Sequence, residues 1–419
     1  MNEISLHISQ FWEQWLKPSA GFDTLQWSLL LALASLVGYL FQRHLQMPKI
    51  VGYALIGTMA GIFGFGGAMW PLQGPALFLL ELGVSVVLFE CGARITLRWF
   101  RHNPMVLVQS LAEAALTYLA VFYVLRWCGI EAIIATPLAL IAMAASPVVL
   151  ARVINDTRAV GPVTDRAMVL ATLSTLYALT LGSAKAEIFA RPAASLWQDI
   201  TPVLVVLGVS VLVGALLCFA MRLALQVMSP SSENTSILML ALIAAATVVA
   251  AHLGGSAPLA ALLGGILLKQ LHQRPWAWPR QLGTASSLLT MLMFVMVSTV
   301  AAQAPWSGAV AVAVLALVVA RLIAKAVGVG LGNMGSGASW QQAVWVACAM
   351  APMSAVALLI TSQFAQASPE LGQSIAGIAL PAILLLELAG AALATVALRR
   401  ARESAPTKVA PASNLKTGA

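Results

Sequence analysis

From Trp27 to Leu398 the chain is one apolar run after another, most of them long enough to cross a bilayer and separated by short polar or glycine-rich turns. In hydrocarbon a backbone amide has no water to bond, so a spanning segment of this length must satisfy its own amides as an α-helix. About 13 such spans are expected at the usual bilayer thickness. With 60% hydrophobic and only 9% charged residues, the 419-residue chain does not read as a soluble globular protein. It reads as an all-α polytopic membrane protein. Residues 1–26 mix Phe11, Trp12, Trp15 and Leu16 with Glu3, Glu13, Lys17 and Asp23, and suggest a short interfacial amphipathic segment. Residues 27–398 form the transmembrane domain, and residues 399–419 are polar and predicted to be a disordered cytoplasmic tail.

Two of the apolar runs are interrupted. The fifth, Ile133–Ala151, contains Ala144-Ala145-Ser146-Pro147, and the twelfth, Ala343–Ile360, contains Met350-Ala351-Pro352-Met353-Ser354. Proline removes a backbone hydrogen bond and clashes with the preceding turn. In lipid, backbone loosened that way is tolerated only where protein or a polar cavity receives it. One proline-interrupted span in each half of a membrane chain points to the binding site of a secondary transporter. Ordinary kinks at Pro147 and Pro352 are the simpler reading.

The basic residues are scattered in short loops, where they orient helices; the net charge of +8 therefore does not suggest nucleic acid. Loops after spans 1, 3, 5, 9 and 13 are basic, and those after spans 2, 8, 10 and 12 carry no Lys or Arg. That pattern puts the N-terminus outside and the C-terminus in the cytoplasm; a bacterial inner (plasma) membrane is the expected location. The two interrupted spans are seven apart and so run in opposite directions, as inverted repeats with two discontinuous crossing helices require. Cys91, Cys128, Cys218 and Cys348 lie in or at the ends of apolar runs and read as packing residues, neither a disulfide framework nor a metal site. No enzyme motif and no cofactor-binding motif is present.

Five motifs follow in order along this pattern. They are Met47-Pro48-Lys49-Ile50-Val51-Gly52-Tyr53 with Gly57 and Gly61; Leu82-Gly83-Val84 through Leu88-Phe89-Glu90-Cys91-Gly92; Ala145-Ser146-Pro147-Val148-Val149; Ser256-Ala257-Pro258-Leu259 with Gly264 and Gly265; and Arg321 to Gly330 around Lys325. Together they resemble the monovalent cation:proton antiporter superfamily, the sodium/hydrogen exchanger fold. The resemblance implies a six-helix core that moves against a dimerisation panel, a homodimer, alternating access, and exchange of a monovalent cation (Na⁺ or K⁺) for protons at a carboxylate. It departs at one place: the family usually carries Asp-Asp or Asn-Asp in the middle of the sixth span, and Ser174 and Thr175 stand there in this chain.

Ionisable groups inside a bilayer are costly and are functional candidates by default. Glu90, deep in the third span, resembles a glutamate that some exchangers carry near the cation site. A carboxylate isolated in a low-dielectric interior can exchange protons near neutrality, but Glu90 can equally pair with Arg94 one turn on. Lys325 corresponds to the family's intramembrane base, with Arg321 one turn before it. Both can instead balance carbonyl ends of the broken helices. Glu113 in the fourth span and Glu387 in the thirteenth are further carboxylates that either join a site or bond between helices. Ser146, Ser174, Thr175 and Ser354 offer neutral oxygens which, with carbonyls freed at the breaks, could ligate the ion; such hydroxyls also commonly bond to their own helix. His252 reads as an interfacial helix end. The reading is thus a cation:proton antiporter with Glu90 and Lys325 handling protons. The alternatives are a same-fold carrier of another, anionic substrate, favoured by two basic residues without an aspartate, or a non-transporting scaffold or sensor.

Overall fold

The computed structural model describes residues 20–65, 68–190, 196–229, 232–271, 280–335 and 338–404, and these are helical with no strands. In order, the helices are α1 (Ala20–Leu40), α2 (Lys49–Ile62), α3 (Gly74–Gly92), the short α4 (Leu97–His102), α5 (Met105–Trp127), α6 (Ala132–Met143), α7 (Pro147–Thr157) and α8 (Pro162–Ala190). They continue with α9 (Leu196–Val227), α10 (Glu233–His252), α11 (Ala257–Leu271), α12 (Arg280–Ala302), α13 (Gly308–Leu331), α14 (Trp340–Ala349), α15 (Ala355–Ala367) and α16 (Pro369–Arg400). Among the described residues ten segments are long and apolar enough to cross a membrane, with α6 and α7 forming one of them. The other expected spans are shorter: α2, α11 and the pair α14–α15.

Several helices outrun their apolar stretch. The sixth span, expected at Ala167–Ala184, is α8, and the thirteenth, expected at Ile375–Leu398, is α16. Their starts are set by proline in the first turn, where its missing N–H costs nothing, rather than by where hydrophobicity begins. The first turn of α8 is also held from the far end of the chain. The Glu403 carboxylate accepts from the amides of Val163 at 2.8 Å and Thr164 at 2.7 Å, an anion at the positive end of a helix. The tail expected to be disordered from residue 399 is therefore helical to Arg400 and docked through Glu403; residues 405–419 lie outside the described residues, as does most of the N-terminal interfacial segment.

Packing divides the helices into two groups. The core comprises α5, α6–α7, α8, α13, α14–α15 and α16, and the panel comprises α1, α2, α3 and α9–α12. Between bilayer-embedded helices there is little hydrophobic drive, so close backbone approach over small residues does much of the joining. Two such approaches set the site. Gly328 lets α13 lie directly on the backbone of α5 at Glu113, and Gly390 lets α16 lie on the second break, where an added Cβ would sit 2.7 Å from the Pro352 Cα.

Both interruptions are true breaks. Helix α6 stops at Met143, Ala144–Ser146 are non-helical, and Pro147 opens α7; α14 stops at Ala349, and 350–354 lead non-helically into α15. The breaks touch, the Ser146 amide donating to the Pro352 carbonyl at 3.0 Å. Proline alone does not make a break, since Pro137, Pro202 and Pro381 all sit inside continuous helices.

Candidate functional site

A broken helix leaves carbonyls without their i+4 amides, and each must find another donor. Most of those donors come from one face of α13. Arg321 reaches into both breaks, its Nε bonding Ala142 O at 2.9 Å and its Nη2 bonding Ala144 O at 2.8 Å. The same guanidinium bonds Ala351 O through Nη1 at 2.5 Å and Pro352 O through Nη2 at 3.2 Å. One fixed positive charge thus faces the negative ends of two half-helices, α6 and α14, which only a planar fork of donors could do. Lys325, one turn on, bonds Met143 O at 3.1 Å, and Thr175 Oγ1 donates to Ala145 O.

The Lys325 ammonium is also ion-paired with Glu113 on α5, and the side chains are 1% and 0% exposed. Thr117 Oγ1 lies 3.3 Å from Glu113 Oε1, and Ser174 Oγ lies 3.2 Å from Oε2 and 3.1 Å from Met143 O. A buried carboxylate on α5 thus lies beside the first break and bonds the hydroxyl of Ser174, which stands where the family usually carries Asn or Asp.

Glu90 is not brought to this cluster. It sits near the end of α3 in an ion pair with Arg94 at 2.7 Å, the i+4 arrangement, with side chains 17% and 43% exposed. The reason is its register: Phe89 is buried within the panel and the Cys91 thiol turns to Pro147 O on α7 at 4.0 Å, while Glu90 between them is half-buried. The four candidate hydroxyl residues are separated by the fold. Ser174 and Thr175 face the first break. Ser146 caps α7, its Oγ accepting from the Val149 amide at 3.2 Å. Ser354 turns to a different carboxylate, Glu387, at 2.9 Å. Of the carbonyls at the breaks, those of Ala142, Met143, Ala144, Ala145, Ala351 and Pro352 accept from Arg321, Lys325, Ser174, Thr175 or the Ser146 amide.

Besides Thr117, two participants lay outside the candidates named from the sequence. Ser298 on α12 bonds Glu387 at 3.0 Å. Arg152 on α7 bonds Ser287 at 2.9 Å, Ser286 at 3.2 Å and Thr290 at 2.7 Å on α12, tying core to panel. The available signal was weak in both cases, a hydroxyl pair within an apolar span and a basic residue one turn before Asp156. Among the described residues, cavities flank the core. One of about 350 Å³, lined by Arg94, Thr164 and Asp165 among others, opens where α3 ends against α7 and α8. A larger, mostly apolar one of about 630 Å³ lies among α5, α6, α8 and α9 and includes Met143 and Tyr177 in its wall.

A helical bundle with two touching half-helix breaks, fixed charges at their ends and a buried ion pair beside them defines the class of ion-handling membrane carriers built on discontinuous helices. The chain belongs to the sodium/hydrogen exchanger transmembrane family, whose sequence model matches residues 31–399. It is an integral membrane protein of a transporter family. Its fold is similar to that of the sodium proton antiporter MjNhaP1 from Methanocaldococcus jannaschii. The structure of that protein at pH 8 superposes with a TM-score of 0.70 at 15% identity, covering 90% of this chain and 100% of the other. A second structure of the same antiporter, from electron microscopy, gives 0.72 at 16% identity, covering 93% and 100%. No curated protein sequence matches the chain.

Proposed function

We propose that the protein exchanges a monovalent cation, Na⁺ or K⁺, for protons by alternating access, and that Glu113 and Lys325 are where the two compete. The observation that carries this is the fully buried Glu113–Lys325 pair beside the two helix breaks. A cation reaching Glu113 would find the carboxylate, Thr117 Oγ1, Ser174 Oγ and Met143 O as oxygen ligands. It would take the place of the ammonium, and Lys325 would give one proton to water and keep its bond to Met143 O as a neutral amine. One positive charge replaces another, so the buried carboxylate is never left uncompensated, which is the costly case. Arg321 keeps its charge throughout and holds the two breaks together. Membership of the exchanger family and likeness of fold to a sodium proton antiporter support this reading. The basic residues Arg43, Arg94, Arg158, Arg399 and Arg400 gather at the ends of α1, α3, α7 and α16, which supports a cytoplasmic C-terminus. The family resemblance supports a homodimer joined through the panel.

The test is proton flux in proteoliposomes with an acid-inside gradient, followed by a pH dye as Na⁺, K⁺ or Li⁺ is added. At least one of these cations should collapse the gradient with the wild type, and Glu113→Gln should abolish the effect. Glu90→Gln should retain it, because Glu90 pairs at the edge of the panel. Flux that survives Glu113→Gln but is lost in Glu90→Gln would return the site to α3. Flux carried by anions alone, or no flux at all, would overturn cation exchange.

A further inference from the structure

Glu387 takes no part in the exchange just described, yet it lies within α16 and is 2% exposed. Ser354 Oγ, at the second break, lies 2.9 Å from its Oε1, and Ser298 Oγ, on α12, lies 3.0 Å from its Oε2. Glu387 and Ser354 belong to the core and Ser298 to the panel, so this carboxyl bridges the two groups of helices.

Among the described residues no positive charge is left for it. Arg321 is spent on the carbonyls of both breaks, and Lys325 is matched by Glu113. The other titratable side chains on elements packed against α16 are Lys49 and Tyr53 on α2, Arg152 and Asp156 on α7, and Cys348 on α14; Arg280 opens α12. Arg152 bonds hydroxyls of α12, and Asp156 accepts the Lys49 amide at 2.9 Å. Glu370, Arg399 and Arg400 lie towards the two ends of α16 itself. Among the described residues none of these bonds Glu387, whose partners are the two serines. The open N-terminus of α15 gives it no backbone amide either. A buried carboxylate with neither cation nor amide is strongly disfavoured.

The hydrogens agree. Ser298 Oγ also lies 2.9 Å from Phe294 O, so its single hydrogen faces two acceptors if Glu387 is ionised. A proton on Oε2 removes the conflict. The carboxyl then donates to Ser298 Oγ, Ser298 donates to the Phe294 carbonyl, and Ser354 donates to Oε1.

We propose that Glu387, Ser354 and Ser298 form a second proton site, filled in the conformation seen here and emptied to water when the core moves along the panel, breaks the Ser298 contact and opens the carboxyl to solvent. The filled state rests on this geometry alone; only the release step rests on the alternating-access reading.

Infrared difference spectroscopy of the purified full-length protein tests the filled state. At neutral pH a carbonyl-stretch band of a protonated carboxyl should be present, be lost in Glu387→Gln and persist in Glu113→Gln. Ser298→Ala, which removes one buried oxygen and should fold, should shift its frequency. A wild type without this band, or a band that survives Glu387→Gln, would overturn the site. In proteoliposomes, Glu387→Gln should lower the number of protons moved per cation and flatten the dependence of flux on pH. An unchanged ratio and profile would overturn the release step. A wild type that shows no cation-driven flux would sink the exchange reading and the release step together, while the infrared result still decides whether Glu387 holds a proton.

Discussion

At the first break the loosened carbonyls of Met143, Ala144 and Ala145 are met by Lys325, Arg321, Ser174 and Thr175, and the following helix starts with proline under a serine cap. At the second, Arg321 and the Ser146 amide supply the bonds to Ala351 and Pro352. The next helix there starts without a side-chain cap, because Ser354 is turned to Glu387. The two interruptions look alike in sequence, each a proline with an alanine and a serine within two residues of it. They differ in what surrounds them: the first has a charged pair, and the second has a carboxyl held by hydroxyls. Paired charge fixes a geometry strongly and suits exchange of one cation for another, whereas a neutral acid held by two hydroxyls can lose its partner at low cost.

That contrast can be broken most directly at Lys325. Lys325→Ala leaves Glu113 buried without a cation and should cost about 3–5 kcal/mol, read as a loss of thermal stability in detergent. Combining Lys325→Met with Glu113→Leu should recover most of that loss; a double variant as unstable as the single would mean that the pair is not the unit described. Arg321→Lys comes next. It keeps the charge but cannot fork to both breaks, and losing even one or two charge-assisted bonds should cost about 1.5–3 kcal/mol each. A neutral outcome in the same assay would show that Arg321 does not hold the breaks together.

The smaller effects compare the two serines. Ser146→Ala removes the cap of α7 and should cost about 1 kcal/mol. Ser354→Ala removes a hydroxyl bond but no cap, so it should cost nearer the roughly 0.6 kcal/mol typical of such bonds between membrane helices. Unfolding of both variants in mixed micelles gives the order. Equal losses, or a larger loss for Ser354→Ala, would erase the difference drawn here between the breaks.

Much of the fold was legible from hydropathy, because a helix in lipid must announce itself by composition. Span ends were less so: α8 and α16 begin at prolines beyond their apolar stretches, and Glu403 docks on α8 from more than two hundred residues away in sequence. At the site, Lys325, Arg321, Ser174 and Thr175, all candidates from the sequence, are brought beside the breaks by the fold. The sequence favoured Glu90 over Glu113, whereas the structure pairs Lys325 with Glu113 and leaves Glu90 with Arg94. Both are glutamates within apolar runs, and a single run does not reveal which face meets another helix.

By itself, then, the sequence determined that this chain is a bundle of membrane helices, interrupted twice, with a few ionisable groups that lipid would not tolerate unpartnered. The tertiary structure decided the partners. Pro147 and Pro352 accompany breaks while Pro137, Pro202 and Pro381 do not, because only at the first two do Arg321 and its neighbours replace the missing backbone bonds. Glu113 meets Lys325 because Gly328 lets α13 press against α5, and Glu387 sits beside Ser354 because Gly390 lets α16 press against the second break. Close approach of two backbones is a property of helix pairs, and no single run of residues encodes it.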